Sequence, residues 1–109
     1  MKKIITMCAL LTGLAACDKT EVAYNGVVYS RHRVPLPDQR VQFLYSTGNK
    51  NEITGRFIAT TNSKGEFSLR ETLPKRKTME AIEVHSDSGS YNSGLSGRRS
   101  IGDIEIVLQ

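Results

Sequence analysis

The chain has 109 residues, 15 of them basic and 11 acidic, for a formal charge of +4. That length holds one small domain. Two cysteines, two histidines and no tryptophan exclude a disulfide-stapled scaffold and a histidine-rich metal site, and no apolar run reaches the ~20 residues of a membrane-spanning helix.

Met1-Lys2-Lys3 forms a positively charged start, and Ile4 to Leu14 is an 11-residue, mostly apolar segment, as in export signals. Leu14-Ala15-Ala16-Cys17 then resembles the bacterial lipobox, in which the cysteine thiol receives a diacylglycerol and the chain is cut just before it. A secretory cleavage site also fits the small residues, but the cysteine directly after Leu-Ala-Ala favours the lipobox. The resemblance implies a signal peptide over residues 1–16, a lipidated Cys17 with a short tether through residue 21, and a folded domain over 22–109. It further implies attachment to a membrane of the bacterial cell envelope. Asp18 resembles the inner-membrane retention signal of enterobacterial lipoproteins. Lys19 departs from that pattern, and charges just after the cysteine also resemble the surface-export signals of other bacterial groups. Cleavage leaves 93 residues with 13 basic and 11 acidic side chains, a charge of about +2. Nucleic acid is therefore not an expected partner. Cys8 is discarded and Cys17 consumed, so the mature domain has no thiol or disulfide and must rely on an apolar core.

The tether from Asp18 to Glu21 spans on the order of 15 Å at full extension. Val22 to Ser30 is rich in β-branched and aromatic residues and reads as a strand, with Gly26 marking a bulge or a close backbone approach. Arg31 to Arg40, with Pro35, Pro37 and Asp38, reads as a loop. Arg40 to Ser46 alternates, with Val41, Phe43 and Tyr45 on one face, and Thr47 to Asn51 reads as a loop. Ile53 to Thr61 is a strand around Phe57 and Ala59, interrupted by Gly55. Asn62-Ser63-Lys64-Gly65 has turn composition, and Glu66 to Arg70 puts Phe67 and Leu69 on one face. Glu71 to Lys77 reads as a connection. Thr78 to Ser86 places Ile82 and Val84 opposite Met79 and Ala81. Asp87 to Ser100, dominated by Ser, Gly and Asn, reads as the longest irregular stretch, and Ile101 to Leu108 as a closing strand. Glu80, Glu83, Asp103 and Glu105 fall at outward or edge positions, where charge discourages edge pairing. Six or seven short strands without a helical period predict an all-β fold, a small antiparallel sandwich of about seven strands.

The order of these pieces resembles the carboxypeptidase regulatory-like domain, a transthyretin-like (prealbumin-like) β-sandwich. The likeness is carried by Gly26-Val27-Val28 followed by Val34-Pro35-Leu36-Pro37, by Val41-Gln42-Phe43, and by Thr61-Asn62-Ser63-Lys64-Gly65-Glu66-Phe67. The closing Ile104-Glu105-Ile106-Val107-Leu108 suits the family's last strand. Asn62 stands where the family has aspartate, which keeps the turn and removes a charge. The resemblance implies an accessory or binding role and no active site.

The chemistry-bearing residues are few. His32 lies between Arg31 and Arg33, and neither it nor His85 has the spaced partners of a metal site. No serine lies in a Gly-x-Ser-x-Gly elbow. Asn62 to Gly65 has too few carboxylates for calcium, so no metal and no cofactor is assigned. The C-terminal Tyr-Arg-Gly-Ser of the transthyretin-like purine-pathway hydrolase is absent; the chain ends Val107-Leu108-Gln109. Three basic clusters, Arg31-His32-Arg33, Lys75-Arg76-Lys77 and Arg98-Arg99, fall in loops. They read as solvated charge or as contacts to anionic envelope groups. Tyr91 with Arg98 and Arg99 forms a candidate recognition patch. The expectation is a lipid-anchored, non-catalytic module that binds an envelope protein or a glycan; the alternative is a structural envelope lipoprotein without a discrete ligand.

Overall fold

The computed structural model describes residues 20–47 and 52–109; the lipobox, Cys17 and the 1–16 segment lie outside them. Seven strands make up the fold: β1 (Thr20–Tyr29), β2 (Arg40–Ser46), β3 (Ile53–Thr60), β4 (Glu66–Leu73), β5 (Thr78–Ser86), β6 (Gly89–Gly94) and β7 (Ser100–Val107). They form a three-stranded sheet in the order β4-β1-β7 and a four-stranded sheet in the order β3-β2-β5-β6. The expected sandwich is therefore present. One pair departs from an antiparallel arrangement: β7 runs parallel to β1, because both strands enter their sheet from the same end.

Alternating apolar side chains meet between the sheets. Val22, Tyr24, Val28, Phe67, Leu69, Leu73 and Ile106 of the first sheet face Val41, Phe43, Ala59, Met79, Ile82 and Val84 of the second. Tyr24 stacks on Phe43 with centroids 4.8 Å apart, and Phe43 meets Phe67 at 6.0 Å. An aromatic column thus crosses from β1 to β2 and back to β4, a geometry that adds to area burial.

Two bulges set which residues join this core. In β5, Leu44 pairs with Ala81 and Tyr45 with Met79, so Glu80 is extra. The added residue reverses the alternation, and Met79 is buried on the same side as Ile82 and Val84 rather than opposite them as the bare period predicts. In β7, Tyr24 pairs with Ile101 and Gly26 with Ile104. The extra turn of backbone is taken at Asp103, with φ of 53°, whose N–H donates to Asn25 Oδ1 at 2.9 Å. Beside this bulge Gly26 has no room for a side chain: a Cβ would lie 2.1 Å from the Ile104 carbonyl oxygen.

Three elements differ from the sequence expectation by more than a residue at one end. β1 begins at Thr20, so Thr20 and Glu21 belong to the strand. β4 continues through Leu73, since Glu71, Thr72 and Leu73 stay paired with β1. The Ser/Gly/Asn-rich stretch contains β6, paired residue by residue with β5 from Ala81–Gly94 to Ser86–Gly89.

The chain crosses between sheets at two ends. One end carries the β1–β2 connection (residues 30–39), the β3–β4 turn (61–65) and Gln109. The other carries the start of β1, the β4–β5 turn (74–77) and the β6–β7 turn (95–99).

Candidate functional site

The β6–β7 turn is held by backbone contacts on every side. Leu95 N–H donates to Glu80 O at 2.8 Å, Gly97 N–H to Met79 O at 2.9 Å, and Arg98 N–H to Leu95 O at 2.9 Å. Ala23 N–H donates to Arg99 O at 2.8 Å, and the Tyr24 hydroxyl donates to Arg98 O. Leu95 is sunk into the core. Ser96 and Gly97 both take positive φ, 51° and 78°, which brings the chain round tightly enough for β7 to begin. The residues that read as the longest irregular stretch are thus a hairpin followed by a pinned turn that presents Arg98 and Arg99 outward.

The phenol of Tyr24 sits in the core beneath this turn. Burial pushes its pKa up to about 12, against the opposing pull of the Arg98 and Arg99 charges. The neutral phenol is the form that donates to the Arg98 carbonyl.

Of the three residues singled out as a patch, two come together. Tyr91 and Arg98 line a depression of about 170 Å³, with Ile82, Leu95, Ile101 and Ile104 supplying apolar walls. It opens along the seam between the edges of β6 and β7. Farther along, that seam is closed by Ser90 and Gln109, each of which donates its N–H to the other's carbonyl. Arg98 Nε bonds Leu95 O at 3.3 Å, which fixes the guanidinium stem at the rim. Arg99 does not line the depression; it stands beside the start of β1.

A larger concavity was not foreseen. A trough of about 440 Å³ crosses the outer face of the three-stranded sheet, floored by Val27 and Tyr29 and lined by Glu66, Asp103 and Glu105. Val27 is the direct ladder partner of both Glu66 on β4 and Glu105 on β7, so strand order alone brings these carboxylates to the two sides of one residue. Nothing in their spacing along the chain signals this. Two of its lining residues contact Arg33, which pairs with Glu105 at 3.3 Å and lies over the Tyr29 ring.

The histidines lie apart from both concavities. His32 is in the exposed turn after β1, its N–H held by Ser30 Oγ. His85 is exposed on the outer face of the four-stranded sheet, 3.2 Å from Glu83 Oε1, while Asn92 donates to the other oxygen of Glu83. Ser90 is His85's ladder partner, but neither residue lines either concavity. Among the described residues no three His, Cys, Asp or Glu side chains are grouped to hold a metal ion.

No protein-family model and no curated protein matches the chain. Among solved structures it is similar to chlorocatechol 1,2-dioxygenase from Pseudomonas putida, with a TM-score of 0.57 and 14% identity over 84% of this chain and 61% of that one. The chain thus spans less than two thirds of that protein's length. At this identity the likeness is one of fold.

Proposed function

We propose that the protein is a lipid-anchored component of a bacterial cell envelope whose β-sandwich is a non-catalytic binding module for a protein or a glycan. One observation carries the reading: Tyr91 and Arg98, an aromatic ring and a guanidinium from separate elements, converge on one depression of mixed apolar and polar lining, with Asp103 also on its wall, framed by pinned backbone. Rigid placement of an aromatic and an arginine side chain lowers the entropy lost on binding and suits a recognition surface. The Leu14-Ala15-Ala16-Cys17 sequence supports the anchor, and the resemblance to carboxypeptidase regulatory-like domains supports the accessory role. Against catalysis stands the placement of the titratable groups. His85 and Glu83 meet on an open sheet face, where neither desolvation nor an oxyanion site would assist a reaction.

The test is recovery of partners on the full-length lipidated protein from a detergent extract, compared with Tyr91→Ala and Arg98→Glu. The reading expects a partner retained by Arg31→Glu and lost by both seam variants. A partner indifferent to both seam variants would remove the depression from the account. Hydrolase turnover by the purified protein that disappears in His85→Ala would replace the binding module with an enzyme.

A further inference from the structure

Building on the lipid-anchor reading, we infer that the end of the sandwich bearing the β4–β5 and β6–β7 turns docks on the anionic phospholipid surface, through Arg76, Lys77 and Arg99. The topology brings these residues together. β1 lies between β4 and β7, and its first residues are flanked by the end of β4, with Thr20 opposite Leu73, and by the start of β7, with Ala23 opposite Ser100. The two basic turns therefore stand on either side of the point where the chain enters the domain. They also meet each other: Gly97 donates to Met79 O, and a Cβ at Gly97 would lie 3.7 Å from Thr78 Cγ2, next in sequence to Lys77.

Distance decides that these charges are felt. With β1 starting at Thr20, Cys17 is three residues from the folded domain, at most ~10 Å of extended chain. That is about one Debye length at physiological salt, so a lipid on Cys17 would hold the turns where the surface potential is only partly screened. Arg76 and Arg99 are exposed and Lys77 is half-exposed, and among the described residues none of the three is paired with a carboxylate. The described carboxylates at this end are Glu21 on β1, Glu71 on β4, Glu52 ahead of β3, and Glu80, which accepts from Ser46; none of them forms an ion pair with Arg76, Lys77 or Arg99. The remaining basic cluster, Arg31-His32-Arg33, lies at the opposite end, with Arg33 paired to Glu105. The same orientation turns the 30–39 connection away from the bilayer and leaves the Tyr91–Arg98 seam on the flank.

Among the described residues every core residue lies between Val22 and Leu108, so residues 18–109 keep the whole described core and are tested without any lipid. Their co-sedimentation with vesicles of phosphatidylcholine and phosphatidylglycerol is compared with pure phosphatidylcholine vesicles. Each basic residue near an anionic surface contributes about a five-fold gain, so Arg76→Gln/Lys77→Gln/Arg99→Gln should lower the partition coefficient roughly 100-fold. Arg31→Gln/Arg33→Gln should leave it unchanged, and added salt should abolish the anionic preference. Equal partitioning into both vesicle types, no partitioning into either, or an equal loss in the Arg31/Arg33 variant would overturn the docking orientation. None of these outcomes depends on whether cells lipidate Cys17, which fractionation and mass measurement of the Cys17→Ser protein decide separately.

Discussion

Asn62 shows how one side chain can replace another and gain a contact. Its Oδ1 accepts from the N–H groups of Lys64 and Glu66 at 2.9 and 3.0 Å, and its Nδ2 donates to Glu66 Oε1 at 3.0 Å. Aspartate, usual in the family that the turn resembles, could make the first two bonds but would set a second carboxylate against Glu66. Asn62→Asp should therefore lower stability by about 1 kcal/mol, measured by urea denaturation, and the loss should shrink in high salt. Next in the same turn, Gly65 has φ of 76° and a Cβ there would press on Leu36 N and Val28 O at 2.9 and 3.0 Å. Phe67 is buried at the foot of the aromatic column, and Phe67→Ala should cost ~3–5 kcal/mol, a large share of the stability of a domain this small. Tyr24 gives the pH dependence. Its pKa is raised to about 12 in the fold and lies near 10 in an unfolded chain, so the folded state favours the neutral phenol. That contribution is complete below pH ~10 and is lost as pH rises through about 12. Urea midpoints across this range should fall more steeply for the native protein than for Tyr24→Phe; parallel curves would show that folding leaves the phenol's pKa at its unfolded value.

At the scale of elements, strands whose own residues alternate were legible and the strand defined by its neighbour was not. β2 and the first half of β4 carry their apolar faces in sequence; the bounds of β2 and the start of β4 stand, while β4 runs on through Leu73. β6, Gly89-Ser90-Tyr91-Asn92-Ser93-Gly94, has only Tyr91 to suggest a strand; it forms because the Ser86–Gly89 turn delivers it to the edge of β5. Met79 faces the core against its bare period for a similar reason, since a bulge is a property of a pair and not of one strand. The site divides along the same line. Tyr91 and Arg98 were recognisable as residue types suited to binding, but Arg99's separation from them, and the convergence of Glu66 and Glu105 on Val27, depend on strand order. Gly26 was readable as a close approach, and its packing makes a sharp prediction. With a Cβ 2.1 Å from Ile104 O, Gly26→Ala cannot be relieved by a side-chain rotation; β1 and β7 must separate. The cost should reach or exceed the ~1–3 kcal/mol of ordinary overpacking, and amide exchange along β7 should accelerate before that along β5.

The whole molecule is ordered by where its chain enters. Because β1 begins at the central position of its sheet and its first paired residue is Thr20, any group carried by Cys17 is held against one particular end of the sandwich. That placement makes the lipobox reading consequential for the rest of the surface: it would divide the loops into a set facing the bilayer and a set facing away, with the Tyr91–Arg98 seam between them. A single acyl chain gives only marginal, reversible attachment, whereas two chains anchor firmly, and the bacterial modification of such a cysteine supplies at least two. The basic turns, at about 1 kcal/mol per charge, give weak, reversible partitioning of their own and orient the domain, while firm retention falls to the acyl chains. Cys17→Ser should therefore abolish stable attachment or arrest processing. The variant should appear either as uncleaved precursor or as protein released into the soluble fraction, while the native protein should carry a mass increase matching its acyl chains on a chain that starts at Cys17. A Cys17→Ser protein that stays with membranes at native levels, beside a native protein of unmodified mass, would place the attachment elsewhere in the chain.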